Sequence, residues 1–233
     1  MQVNYYGHRI AGPEQILENA VVSNIAHLFN AASRSLWAAA SLPIGAGKPD
    51  LIIAEVEPEI IALANIELSA TKVMAYLRAI HKARASTIAS KMNKPRVQIV
   101  KSLDSLLNVG AIKEEGGNFS LASSWRNILP IVTCIEVNIA DWRRVLNQAV
   151  RNSIFSHYSY VALPESVANR VLEEPGFFRY GIGILSVSKL ESVTLLRRSK
   201  LRSPKVWSYY YQLASTIARQ SNGEKIDLPN YPI

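Results

Sequence analysis

Leu17, Val21 and Leu28, with Ile25 beside them, recur at helical spacing, and Pro13 suits a first helical turn. The pattern predicts a helix over about 13–32. After it, "SLWAAASLPIGAGKP" reads as a segment ending in turn residues. "DLIIAEVE" reads as a short β-rich run that begins at Asp50. Val73, Leu77 and Ile80 make the apolar stripe of a helix in "SATKVMAYLRAIH", and "ASTIASKM" predicts a short helix after it. "PRVQIVKSLDSLLNVG" predicts a third, opened by Pro95 and stopped by Gly110. Gly116-Gly117-Asn118, between two short strand-like runs, is a hairpin signal.

Helix, short helix, helix and hairpin is the order of a winged helix-turn-helix, which the pattern places over 66–124. Beyond residue 125 the period changes. "ILPIVTCIEVNI" reads as a buried strand, "DWRRVLNQAVRNSIFSHY" as a helix and "SYVALP" as a strand, which together make a βαβ unit. A short helix in "PESVANRVLEE", strands in "GIGILSVS" and "VTLLRRS", and a helix in "SPKVWSYYYQLASTIARQ" follow, with a loose tail over 221–233. No internal repeat or low-complexity tract is visible.

Charge narrows the partners. The 233 residues carry a formal net charge of +8, so a polyanion is expected, DNA first. Residues 69–101 hold eight Lys and Arg and no Asp or Glu. In a winged helix the third helix enters the major groove by its N-terminal turns, which carry Arg96, Gln98 and Lys101. Lys91 and Lys94 would meet phosphates, which supply affinity without sequence information. Glu114 and Glu115 in the hairpin would repel phosphate, so the wing is not expected deep in a groove. A second cluster, Arg197, Arg198, Lys200, Arg202 and Lys205, could extend the DNA track. With 48% hydrophobic residues a sizeable core is expected. Cys134 is the only cysteine, which excludes an internal disulfide and a zinc site built on Cys pairs. The N-terminal stretch has no apolar signal core, and no run of 18 apolar residues free of charge occurs. A cytoplasmic protein is expected, without a membrane partner, and nucleoid-associated in a bacterial or archaeal cell.

The candidate chemistry lies in "CIEVNIADW" at 134–142. Side chains alternate along a strand, so Cys134, Glu136 and Asn138 should share one face. Two polar groups on an apolar strand cost free energy unless they have partners. A divalent metal is one such partner, and Asp50, opening the earlier strand, could add a second carboxylate. "GAGKP" is not a phosphate-binding P-loop, because Leu42 stands where its first Gly belongs and Pro49 follows Lys48. The four His are scattered and form no metal motif.

"PDLIIAE" at 49–55 and "IEVNIADW" at 135–142 resemble the two halves of the PD-(D/E)xK nuclease signature. The resemblance implies an α/β fold: a restriction-endonuclease-like central sheet flanked by helices, with an inserted winged helix. Its implied parts are 1–65 as the first part of the core, 66–124 as the insert and 125–220 as the second part. By the same resemblance Asp50 and Glu136 hold Mg2+ or Mn2+, Glu18 on the first helix is a further metal ligand, Gln148 matches a recurrent Gln, and Asn138 stands where the family has a water-activating Lys. Removing 66–124 brings Asp50 and Glu136 to a separation ordinary for neighbouring strands. The implied function is a metal-dependent deoxyribonuclease, impaired because Asn138 replaces Lys. Such enzymes often act as homodimers, since two strands must be cut. The alternative is an inactive nuclease-like scaffold serving as a DNA-binding regulator or protein-interaction module. Asp50 as a turn cap, Glu18 as an ordinary surface residue, and Gln148 on a solvated stripe with Arg144, Arg151 and Asn152 are the plain structural readings.

Overall fold

A computed structural model describes residues 3–6, 11–29, 35–45 and 47–223. The chain divides into two compact units, one of residues 1–56 and 131–205, the other of 57–130 and 206–233.

The first unit is a mixed α/β layer structure around seven strands. They are β1 (Val3–Tyr5), β2 (Leu36–Ala40), β3 (Leu51–Glu55), β7 (Val132–Val137), β8 (Tyr158–Pro164), β9 (Gly183–Val187) and β10 (Val193–Arg197), and they lie in that order across the sheet. β7, β8 and β9 run parallel, while β3 pairs antiparallel with β7 and β10 with β9. Parallel neighbours need crossovers, and helices supply them: α6 (Trp142–Asn152) between β7 and β8, and α7 (Glu165–Val171) with α8 (Pro175–Arg179) between β8 and β9. All six residues of β7 are buried, as expected of a strand covered on both faces.

One face is covered by α1 (Pro13–Leu28), whose Ala20, Val21 and Ile25 pack on Ala38, Leu51, Ile53, Ile135 and Val137. The expected helix over 13–32 is seen to Leu28, and 30–34 lie outside the described residues. The opposite face meets Val145, Leu146 and Ala149 of α6, Val171 and Phe177, which close over Val161, Leu163 and Ile184. Burying a Val, Leu, Ile or Phe side chain contributes about 1.5–3 kcal/mol each. Both faces are therefore sealed, and a polar side chain on β7 has to find its partners inside the protein. Two strands of this sheet, β1 and β2, are not marked by the sequence pattern. Their pairing is parallel to each other, and β2 pairs antiparallel with β3.

In the second unit the helices fall where the pattern places them: α2 (Leu68–Ile80), α3 (Ala85–Met92) and α4 (Arg96–Asn108). Asn93, in the left-handed region at φ 50°, turns the chain between α3 and α4, a conformation that Asn tolerates. β5 (Ile112–Glu115) and β6 (Asn118–Leu121) pair antiparallel through Gly116 and Gly117, both at positive φ, as a two-residue hairpin requires. The short β4 (Lys82–Ala83) adds to β6.

The unit is larger than residues 66–124. It includes a 3-10 turn (Pro58–Leu63), α5 (Ser123–Arg126) and α9 (Trp207–Ser221). The sequence reading assigned 125–220 to the sheet unit, and the helix at its end belongs instead with α2. The reason is the apolar face of α9. Tyr210, Tyr211, Leu213, Ala214, Ile217 and Ala218 are buried, the Tyr210 hydroxyl donates to Leu129 O and accepts from Leu129 N at 2.9 Å each, and the Tyr211 hydroxyl donates to Trp125 O. Arg219 donates to Ile66 O at 2.9 Å. Residues 224–233 of the expected tail lie outside the described residues. No described helix is long and apolar enough to cross a membrane.

Candidate active site and nucleic-acid surfaces

Leu51 pairs with Ile135, so continuing the antiparallel register by one residue sets Asp50 opposite Glu136 on the α6 side of the sheet. Asp50 Oδ2 accepts a hydrogen bond from Val137 N at 2.7 Å, which fixes it beside β7. Glu136 is 2% exposed, and its Oε1 accepts from Asn152 Nδ2 of α6 at 2.5 Å. Glu136 Oε2 is buried without a donor while both groups are charged. One proton between the two carboxyls supplies the missing bond, and the two side chains are hydrogen-bonding partners in that form.

The electrostatics agree. Burial, then the charge of Asp50, push the Glu136 carboxyl up to about 9, against the opposing effects of Asn152 and of Arg151. Burial also raises Asp50, reinforced by Glu14 and opposed by the Val137 amide, the Glu136 bond and Lys48. Glu136 is the more raised of the two, so it carries the proton and Asp50 accepts it.

With that proton removed, the pair would offer a divalent cation of the Mg2+ kind two carboxylate oxygens. Asp50 keeps one oxygen not used by Val137 N, and Glu136 keeps one not used by Asn152. Two carboxylates with remaining ligands from water and phosphate suffice for Mg2+. Among the described residues no group of three or more His, Cys, Asp or Glu is arranged to hold a metal. Glu18, expected as a further ligand, is half-buried on α1 and is not gathered with the pair. Glu14, one turn earlier, is the helix carboxylate whose charge reaches Asp50.

Asn138 departs from the expected alternation. β7 ends at Val137, and the Asn138 side chain turns to the start of α6. Its Oδ1 accepts from Ala140 N at 3.0 Å and Asp141 N at 2.6 Å, and its Nδ2 donates to Glu14 at 3.0 Å. This Asx-type bonding opens the helix that Asp141 then caps through Arg144 N. The side chain holds a turn and is not aimed with Glu136.

Gln148 is half-buried on α6, one turn before Asn152. Asn152 itself is 3% exposed, so it leaves the solvated stripe to which the sequence reading assigned it. Val145, Ala149 and Asn152 are a buried series at helical spacing, and that spacing was the signal available in the sequence.

In the second unit, Lys91, Lys94 and Arg96 are exposed around the α3–α4 turn. Gln98 is half-buried and lines a small cavity of about 180 Å³ with Lys72 and Met92. Lys101 is exposed but paired with Glu67 at 2.8 Å. That pair raises the Lys101 ammonium and lowers the Glu67 carboxyl. Val97 is 82% exposed between Arg96 and Lys101. The outward face of α4 near its start is thus a mixture of cationic and apolar groups.

Arg197, Arg198, Lys200 and Arg202 border a cleft in the sheet unit. The segment after β10 crosses the amino ends of the parallel strands: Lys200 N donates to Gly181 O, Arg202 N to His157 O and Lys205 N to Ile154 O. Glu136 lies near the carboxyl end of β7. The segment and the carboxylate pair therefore occupy opposite ends of these strands. Comparison with protein-family models, curated proteins and solved structures finds no match for this chain.

Proposed function

We propose that this chain is a DNA-binding protein of the PD-(D/E)xK nuclease kind, with a metal-dependent phosphodiester-hydrolysing site at Asp50 and Glu136. The observation that carries the reading is the carboxyl pair: half-buried Asp50 and buried Glu136 lie side by side, and each has one oxygen not engaged by Val137 N or Asn152, so that a cation in place of the proton between them would find two carboxylate oxygens. A purely structural pair is costly, because burial without a compensating cation keeps one group uncharged. A bound Mg2+ or Mn2+ would polarise phosphate and lower the pKa of a water. Asp50 and Glu136 would hold it, Asn152 would fix the rotamer of Glu136, and the Val137 amide would fix Asp50. Lys48 is a cation whose charge reaches Asp50, in a site where Asn138 brings no charge.

The restriction-endonuclease-like core and the winged helix are part of the same proposal. A sheet flanked by helices with the carboxylates on adjacent strands suits the first. The helix–helix–hairpin order, with cations around the α3–α4 turn, suits the second. The chain leaves the sheet unit after Val56 and re-enters it at Ile131, as an insertion would, and the unit outside the sheet is completed by α9.

A second reading is favoured by one specific observation. The Asn138 side chain is occupied by the α6 turn, so the position where the family has its Lys brings no cation to the pair, and a nuclease-like scaffold that only binds DNA fits that fact. Incubation with supercoiled plasmid and Mg2+ or Mn2+ decides between them. Nicking that is lost in Asp50→Asn and Glu136→Gln supports the enzyme. Duplex binding without nicking under either metal supports the scaffold. Nicking that survives Glu136→Gln refutes the site.

A further inference from the structure

The cleft bordered by α8 and by the segment after β10 has a volume of about 710 Å³ and is lined by Phe178, Arg179, Arg197, Arg198, Lys200 and Arg202, among others, with no Asp or Glu among the described residues that line it. Two features separate it from an ordinary basic surface. First, its arginines are anchored. Arg197 donates to Leu172 O, and Arg202 donates to Tyr180 O at 2.6 Å. Each keeps a further buried donor, Arg197 Nη1 and Arg202 Nε, for which no described residue provides an acceptor. Unsatisfied buried donors are costly, and an anion is the acceptor that would satisfy guanidinium groups best.

Second, the cationic lining carries an aromatic ring that does not pack. Phe178 is 83% exposed, whereas its neighbour Phe177 is fully buried. Arg179 lies over the Tyr180 ring at 5.5 Å, and Tyr180 is itself 39% exposed. An exposed aromatic among cations is the pairing that binds unpaired nucleotides, with phosphates on the cations and a base face on the ring. A duplex offers its phosphates but no free base face.

We propose that this cleft binds a single-stranded nucleic acid, with phosphates held by Arg197, Arg198, Lys200 and Arg202 and a base stacked on Phe178. It rests on the reading above only in that the ligand is a nucleic acid. The end of the sheet is different from that of Asp50 and Glu136, so an unpaired strand held here is a second contact beside the carboxylate site.

The test is fluorescence anisotropy of the full chain, without metal, against labelled twelve-nucleotide oligo(dT) and oligo(rU), a duplex of equal length, and inorganic polyphosphate as a competitor. Phe178→Ala should weaken oligonucleotide binding about tenfold, the size of one lost stacking contact, and leave the salt slope and duplex binding unchanged. Arg198→Ala with Lys200→Ala should weaken binding and flatten the salt slope by about one unit. Tighter binding of oligo(dT) assigns a DNA strand, and tighter binding of oligo(rU) an RNA strand. The proposal is overturned if Phe178→Ala leaves oligonucleotide affinity unchanged, or if polyphosphate competes as well as the oligonucleotide does. Phe178 is solvent-exposed, so its removal does not threaten folding. Because binding is read without metal, failure here is distinct from failure of plasmid nicking.

Discussion

Replacing Glu136 by Gln should make the protein more stable at neutral pH, and by an amount that grows with pH. In the wild type the pair keeps one proton that the unfolded chain gives up near the ordinary carboxylate range, about 4.3 for Glu. The folded-state value is raised, towards about 9. Between those limits the unfolded chain binds fewer protons than the folded one, so wild-type stability falls as pH rises. The contribution is complete below the unfolded value and is lost as pH climbs through the folded one. One proton corresponds to about 1.4 kcal/mol per pH unit, so roughly 3 kcal/mol should disappear between pH 5.5 and 7.5. Gln keeps the shape, can accept from Asn152 and can donate to Asp50, which then stays ionised beside the Val137 amide without a like charge facing it. Urea denaturation at three pH values in EDTA, for wild type and Glu136→Gln, measures the difference. The gap in favour of the variant should widen steadily from pH 5.5 to 7.5. A gap that does not change with pH would refute the shared proton. Adding Mg2+ at pH 7.5 should then stabilise the wild type and leave the variant unmoved, because ligand that binds only the folded state adds stability by mass action.

Three other outcomes follow from packing and surface charge. Gly183→Ala places a Cβ 2.2 Å from the Tyr160 ring and 2.8 Å from Ser199 N, so the denaturation midpoint should fall by the equivalent of about 1–3 kcal/mol, the usual cost of overpacking. Tyr210→Phe removes the hydroxyl that serves both backbone groups of Leu129, and should cost about 1–3 kcal/mol by thermal melting; an unchanged melting temperature would show that α9 contributes only apolar packing. Arg96→Glu should weaken duplex DNA binding by about 1–3 kcal/mol in a mobility-shift titration, whereas Lys101→Ala should have a smaller effect, since Lys101 is already engaged by Glu67.

The elements that could be read from the sequence are those whose pattern carries one dominant signal. β7 is dense in β-branched residues, β8 begins with two tyrosines and Val161, and α4 is bounded by Pro95 and Gly110, so type and limits are both legible. β2 is not, because "LWAAA" is alanine-rich and alanine is poor in strands by propensity. Its alanines make sense only against α1, whose Ala20 and Val21 pack on Ala38 and Ala40. The placement of α9 was hidden for a similar reason. Its tyrosines show that one face is buried, but not against which unit, and the hydrogen bonds to Leu129 and Trp125 are visible only in three dimensions. The site was half legible. Period-2 alternation found Glu136, and the register of β3 with β7 brought Asp50 to it. Alternation misplaced Asn138 because the strand stops one residue earlier, and a short polar side chain after a strand bonds to the next turn more readily than it continues the pleat.

Two asparagines, fourteen residues apart, bond at the two ends of α6. Asn152 comes from α6 and holds Glu136 in place through one donated bond, which opposes the rise that burial and then the charge of Asp50 impose on the Glu136 carboxyl. Asn138 bonds the first turn of that same helix through Ala140 N and Asp141 N. The helix is therefore held at both ends, by Asn138 at its start and by the Asn152–Glu136 bond at its end. A charge inserted at Asn138 would have to release Ala140 N and Asp141 N before it could reach the carboxylates, and it would meet Glu14 first, at the place where the Asn138 amide now donates. Only a cation arriving from outside the strand, such as Lys48 or a divalent ion, can reach the pair without loosening α6. Without such a cation the pair meets the burial of Glu136 by keeping a proton between the two carboxyls.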